Sequence, residues 1–103
     1  MLFGVFAIHS PESCPLNNDT SAEKILYMYD KMGSHLAEFN IHKVIGSYVS
    51  ALEHQWILIL DAKSAHDIEE FCIKVGISSI NTVKIVPLNT FEDIVERIKS
   101  GNH

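Results

Sequence analysis

At 103 residues, 47% of them hydrophobic, the chain is one domain (1–103) with apolar side chains enough for a core. A formal charge of -5 and the lack of any Lys/Arg-rich block exclude a non-specific grip on nucleic acid and oppose docking on an anionic membrane. No apolar run is long enough to span a bilayer.

The chain begins with an apolar strand, Leu2–Ile8, whose pattern suits a central position packed on both faces. No basic segment precedes it, so a signal peptide is not expected and the expected location is cytoplasmic. Cys14 and Cys72 then read as free thiols. Ser10-Pro11 and Cys14-Pro15 end the strand pattern and open a polar loop. Thr20 and Glu23 form a capping-box pattern for a first helix. Ile25, Tyr29, Met32, Leu36 and Phe39 make its apolar stripe, and Asn40 closes it in a left-handed conformation.

Residues 41–50 read as a second strand and residues 54–60 as a third. The connection of three residues makes the pair an antiparallel hairpin. Ser64, with Asp67 three positions on, caps a second helix. Its inner stripe is Ile68, Phe71, Cys72 and Val75, and Gly76 stops it. Residues 82–88 form a fourth strand, placed at an edge by Pro87. Thr90 caps a last helix with Phe91, Ile94, Val95 and Ile98 on its inner face, and residues 101–103 should fray.

This order is an α+β, ferredoxin-like βαββαβ sandwich with an added C-terminal helix and strand order 4-1-3-2. Two helices cover one sheet face; the other needs the third helix or a second copy. Over nearly its whole length the element order resembles the dimeric α+β barrel families, which include small antibiotic-biosynthesis-type monooxygenases and muconolactone-isomerase-like proteins. The resemblance implies a homodimer that binds a small molecule between sheet and helices or within the barrel. It rests on element order and transfers no residue role.

Strands one and three run antiparallel side by side, so His9 and His54 should meet at one end beneath the loop carrying Glu12 and Cys14. Two imidazoles and a thiolate suit zinc or copper, with Glu12 as a fourth ligand. Cys14 activated by a histidine would instead be a nucleophile. Phe6, Met32, Tyr48 and Trp56 are candidates for an apolar ligand pocket with His54 at its mouth. His35, His42, Asp61 and His66 lie toward the opposite end. The leading reading is a small homodimer that binds a transition metal or small ligand at the end of the first and third strands. Two alternatives stand beside it. One is a small-molecule oxygenase or isomerase in which His9 or His54 moves a proton; the other is a structural or regulatory dimer without catalysis. The residues leave enzyme and non-enzyme readings open.

Overall fold

Strand β1 (Leu2–Ile8) sits inside the sheet because its side chains are apolar on both faces. It pairs antiparallel with β3 (Gln55–Ala62) on one side and with β4 (Thr82–Leu88) on the other. β2 (Ile41–Ser50) pairs antiparallel with β3, giving the order β2-β3-β1-β4. The computed structural model describes residues 1–101. Asn102 and His103, expected to fray, lie outside the described residues.

Alternation along the strands decides which face is the core. Phe3, Val5 and Ala7 of β1 and Leu58, Leu60 and Ala62 of β3 are buried against the helices. Helix α2 (Ala65–Val75) adds Ile68, Phe71, Cys72 and Val75, the expected stripe. Ser64 caps it by accepting from the Asp67 N–H, and Gly76 ends it at φ 95°. Helix α1 (Asp19–His35) departs from expectation at its start. Asn18, not Thr20, caps it, accepting from the Ser21 N–H at 3.0 Å. Asn18 already has an extended backbone, which leaves Thr20 inside the first turn. Ser21 and Met28 are the buried positions of α1, with Ile25, Met32 and Leu36 beside them. Tyr29, one residue past Met28, is turned by about 100° and is exposed. A short turn over Ala37–Phe39 then leads to Asn40, which is left-handed as expected.

The arrangement is α+β and ferredoxin-like, but the sheet is open: the expected dimeric α+β barrel is not formed. β2 and β4 are its free margins. Both carry features that discourage further pairing: Lys84 and Pro87 on β4, and two register irregularities between Ile41 and Gly46 on β2. The last helix, α3 (Phe91–Lys99), is capped by Thr90 as expected yet buries none of its residues. Phe91 and Ile98 are 77% and 59% exposed, so the third helix does not cover the open sheet face. On that face Phe6, Ile57 and Ile59 are half-buried, and Ile8 and Tyr48 are exposed.

Candidate functional site

The site forms where β1 ends beside the β2–β3 turn. The turn begins with Ser50, whose hydroxyl accepts from the Glu53 N–H, and ends at His54. His54 is not the first residue of β3, as the sequence suggested. It sits in the turn with φ 53°, a left-handed conformation uncommon for a residue with a side chain. There its carbonyl accepts from the His9 N–H at 3.1 Å, extending the β1–β3 ladder by one rung. The loop after His9 is tied by its own backbone. The Ser13 N–H donates to Ser10 O, the Cys14 N–H to Pro11 O and the Asn17 N–H to Cys14 O. Asn18 Nδ2, the nitrogen of the same side-chain amide, donates to Glu12 O at 2.9 Å, so the residue that caps α1 also anchors this loop. The result holds Cys14 buried, 4% exposed.

The His9 and His54 rings lie edge to face, centroids 5.5 Å apart and planes at 67°. One donor atom from each of His9, Cys14 and His54 lies within 4.8 Å of the other two. The expected convergence of the three is therefore present. Glu12 stays outside the group and is exposed. Its carboxyl is held below its ordinary value of 4.5, first by its own backbone N–H, then by the Ser10 hydroxyl, with a smaller contribution from His54. His9 Nδ1 lies 3.1 Å from Asn81 Oδ1, and Asn81 Nδ2 donates to Ile77 O at 2.9 Å. Among the described residues three buried side-chain nitrogens find no partner in the protein: His9 Nε2, His54 Nδ1 and His35 Nδ1. The last faces Glu38 at 3.6 Å. The first two belong to this cluster.

The cluster forms one end of a groove of about 460 Å³ between α1 and the sheet. Ile25, Tyr29, Met32, Val44, Trp56 and Leu58 make its mostly apolar walls. Trp56 is oriented by its indole N–H, which donates to the Ser47 hydroxyl at 3.0 Å. Of the four expected pocket residues, Met32 and Trp56 line this groove. Phe6 and Tyr48 both register with Ile57, one residue from Trp56, and so lie on the opposite sheet face. Tyr29, Asn81 and Leu16 line the groove without having been marked as pocket residues. A helical stripe does not reveal a Tyr at its margin, and an Asn before a strand looks like any turn residue.

His35, His42 and Asp61 do not assemble with His66 into one donor cluster among the described residues. His66 instead neighbours Glu69 and Glu70, all three exposed. A shallower depression of about 660 Å³ between α2 and β4 contains His66, Glu69 and Cys72 but no buried unpartnered nitrogen. The Cys72 thiol there is pushed up to about 12, by burial first and then by Glu69. Cys14 and Cys72 are both free.

No protein-family model matches the chain, and no curated protein does. Among solved structures, the chain is similar to 5-chloro-2-hydroxyhydroquinone dehydrochlorinase from Burkholderia phenoliruptrix, determined in complex with 2,5-dihydroxybenzoquinone. The two are 16% identical over 90% of this chain and 98% of the other, with a TM-score of 0.49. At that level the assignment as an α+β, ferredoxin-like chain stands on its own strand order and registers.

Proposed function

We propose that the chain is a small-molecule enzyme of isomerase or oxygenase type. A flat, largely apolar ligand lies in the groove, with its polar end against His9 and His54. The observation that carries this reading is the pair of buried, unpartnered imidazole nitrogens at the end of an apolar groove. A buried nitrogen without a partner costs about 1–3 kcal/mol, so a ligand group that pairs with it recovers that cost on binding. The amide of Asn81 aims its oxygen at His9 Nδ1, which leaves Nε2 as a lone pair facing inward. Such a lone pair accepts a proton from a ligand O–H or an activated C–H, the first step of either reaction type. The same donor set suits zinc or copper, which would meet the ligand's polar end at the same place.

The chain's one tryptophan lines the groove and provides the assay. Single-ring phenols should change Trp56 fluorescence saturably. His9→Gln should keep that binding while losing catalysed exchange of the ligand's acidic C–H with D2O. No saturable binding across phenols and enolisable ketones refutes the reading.

We also propose that two copies associate. Among the described residues two apolar surfaces are without a partner: the open sheet face around Phe6 and Tyr48, and the Phe91–Ile98 side of α3. An isologous pair buries both without joining strand edges. The two free thiols fit a reducing, cytoplasmic setting. Light scattering reads the mass directly, and a monomer at working concentrations refutes the dimer. No described helix is long and apolar enough to cross a membrane.

A further inference from the structure

We propose that His9 Nε2, Cys14 Sγ and a His54 ring nitrogen form a three-donor site for a borderline-to-soft cation, zinc(II) or copper(I). Asn81 is its orienting residue, and the remaining coordination position faces the groove. Three independent observations converge on it. One donor atom from each of the three residues lies within 4.8 Å of the other two. A tetrahedral set with ordinary zinc bond lengths has its donors roughly 3.3–3.6 Å apart, so modest side-chain rotation closes the group on an ion. Among the described residues, two of the three hold buried nitrogens with no partner, a state that folded chains rarely leave unexplained.

The third observation is the arrangement behind His9. Asn81 Nδ2 donates to Ile77 O, and this fixes which end of the amide faces the imidazole. The facing atom is Oδ1, an acceptor, so in the neutral ring Nδ1 carries the hydrogen and Nε2 does not. Metal-bound histidines are commonly held this way, the second ring nitrogen donating to a carbonyl that sets ring orientation and tautomer. A histidine serving only as packing has no need of a fixed tautomer that leaves its buried nitrogen bare.

The donor types choose the ion. Two imidazoles with one sulfur exclude calcium and magnesium, which take oxygen ligands. They suit zinc and copper(I). On binding, the Cys14 S–H bond breaks, its proton leaves to solvent and the sulfur–metal bond forms. His9, Cys14 and His54 all border the groove, so a ligand hydroxyl reaching that end meets the ion. The ion would then stabilise the oxyanion by coordinating it, the O–H bond breaking and its proton leaving to solvent, in place of transfer to a bare imidazole. Only this last step rests on the groove reading; the cation site does not.

The test uses the untagged full chain, stripped of metal and titrated with cobalt(II) as an optical probe, then with zinc(II) and copper(I) in competition against a chromogenic chelator. One equivalent should bind, with a sulfur-to-cobalt charge-transfer band. Cys14→Ser should abolish that band. Asn81→Leu should weaken zinc binding about 10- to 100-fold, with its far-ultraviolet circular dichroism unchanged. His66→Ala, in the exposed cluster on α2, should change nothing. The proposal is overturned if the wild-type chain takes up no stoichiometric metal. It is equally overturned if Cys14→Ser binds as tightly as wild type, or if His66→Ala removes the binding. Nitrogen-15 shifts of His9 in the metal-free chain give a separate reading: a hydrogen on Nε2 contradicts the role given to Asn81. Phenol binding to the metal-free chain, followed by Trp56 fluorescence, separates the two ideas. Binding without metal uptake sinks the ion alone, and metal uptake without phenol binding sinks the groove reading alone.

Discussion

Gly76 links the stability of α2 to the geometry of the site, and its replacement by alanine tests that link. Its φ of 95° ends α2, and its carbonyl accepts from the Ser79 N–H at 3.0 Å and the Ser79 hydroxyl at 2.6 Å. This turn delivers Asn81, which is bonded back to Ile77 O. A Cβ at position 76 would meet Met28 Cε at 3.7 Å and Ser79 Oγ at 3.8 Å, ordinary contacts, so no clash contributes. The cost of Gly76→Ala is then conformational. An L-residue in the left-handed region costs about 1–2 kcal/mol. The lower entropy of the unfolded alanine chain returns about 0.4–1 kcal/mol. The net loss is about 1 kcal/mol, or about 4–8 °C in Tm for a domain of this size. Gly33→Ala is the control. It lies within α1, a Cβ there meets nothing within 4 Å, and its φ is not positive. Helix propensity predicts a gain of about 0.8–1.0 kcal/mol. Thermal and urea unfolding followed by circular dichroism should therefore show shifts of opposite sign. Shifts in the same direction, or a neutral Gly76→Ala, refute the reasoning.

Three other perturbations follow from particular contacts. The Cys72 thiol ionises ordinarily at 9.0 but is pushed up to about 12 in the folded chain. Between those values only the unfolded state gains thiolate, so this group makes stability fall as pH rises through that window. Cys72→Ala should remove that part of the alkaline slope in urea midpoints, and an unchanged slope contradicts it. Asp61 is held below its ordinary 3.8 mainly by the N-terminal ammonium, which bonds it at 2.8 Å. A depressed carboxylate stabilises above 3.8 and loses that contribution as pH falls through its folded value. Asp61→Asn should therefore flatten the acid limb of the Tm profile, and an identical limb counts against the ion pair. Asn18→Ala should cost about 0.5–2 kcal/mol as a lost cap. Because Asn18 also holds Glu12 O, alkylation of Cys14 in the folded chain should accelerate; an unchanged rate means that the loop is held elsewhere.

What could be read from the sequence was what local chemistry determines. Ser64, Thr90, Asn40 and Gly76 announced their elements because caps and left-handed residues act over four or five positions. Antiparallel pairing then brought His9 and His54 together from opposite halves of the chain. What failed depended on orientation or on tertiary partners. Phe6 and Tyr48 were grouped with Trp56 by residue type, although one step along a strand reverses the face. Phe91, Ile94 and Ile98 form a good apolar stripe, but a stripe does not say what it packs on, and here none of its residues is buried among the described residues. The topology places Asn81 at the same end of the sheet as His9, but its hold on His9 shows only in its two hydrogen bonds, which no local pattern marks.

His54 gives a way to separate a site from a piece of packing. It holds a left-handed backbone that glycine would adopt freely, and its ring carries a buried nitrogen without a partner. Judged by stability alone, it is a poor residue for that turn. Replacing it by glycine relieves about 1–2 kcal/mol of backbone strain and loses about 0.4–1 kcal/mol to the freer unfolded chain. Removal of the unpaired nitrogen recovers about 1–3 kcal/mol more, set against the apolar contacts of the ring. The metal-free His54→Gly chain should thus melt at or above the wild-type temperature, while its cobalt titration shows the site lost. Strain retained in a folded chain in this way marks a residue kept for something other than folding. If His54→Gly instead melts well below wild type, the ring is a structural wedge under the Cys14 loop. The strongest physical reason for placing chemistry at this end of the sheet would then disappear.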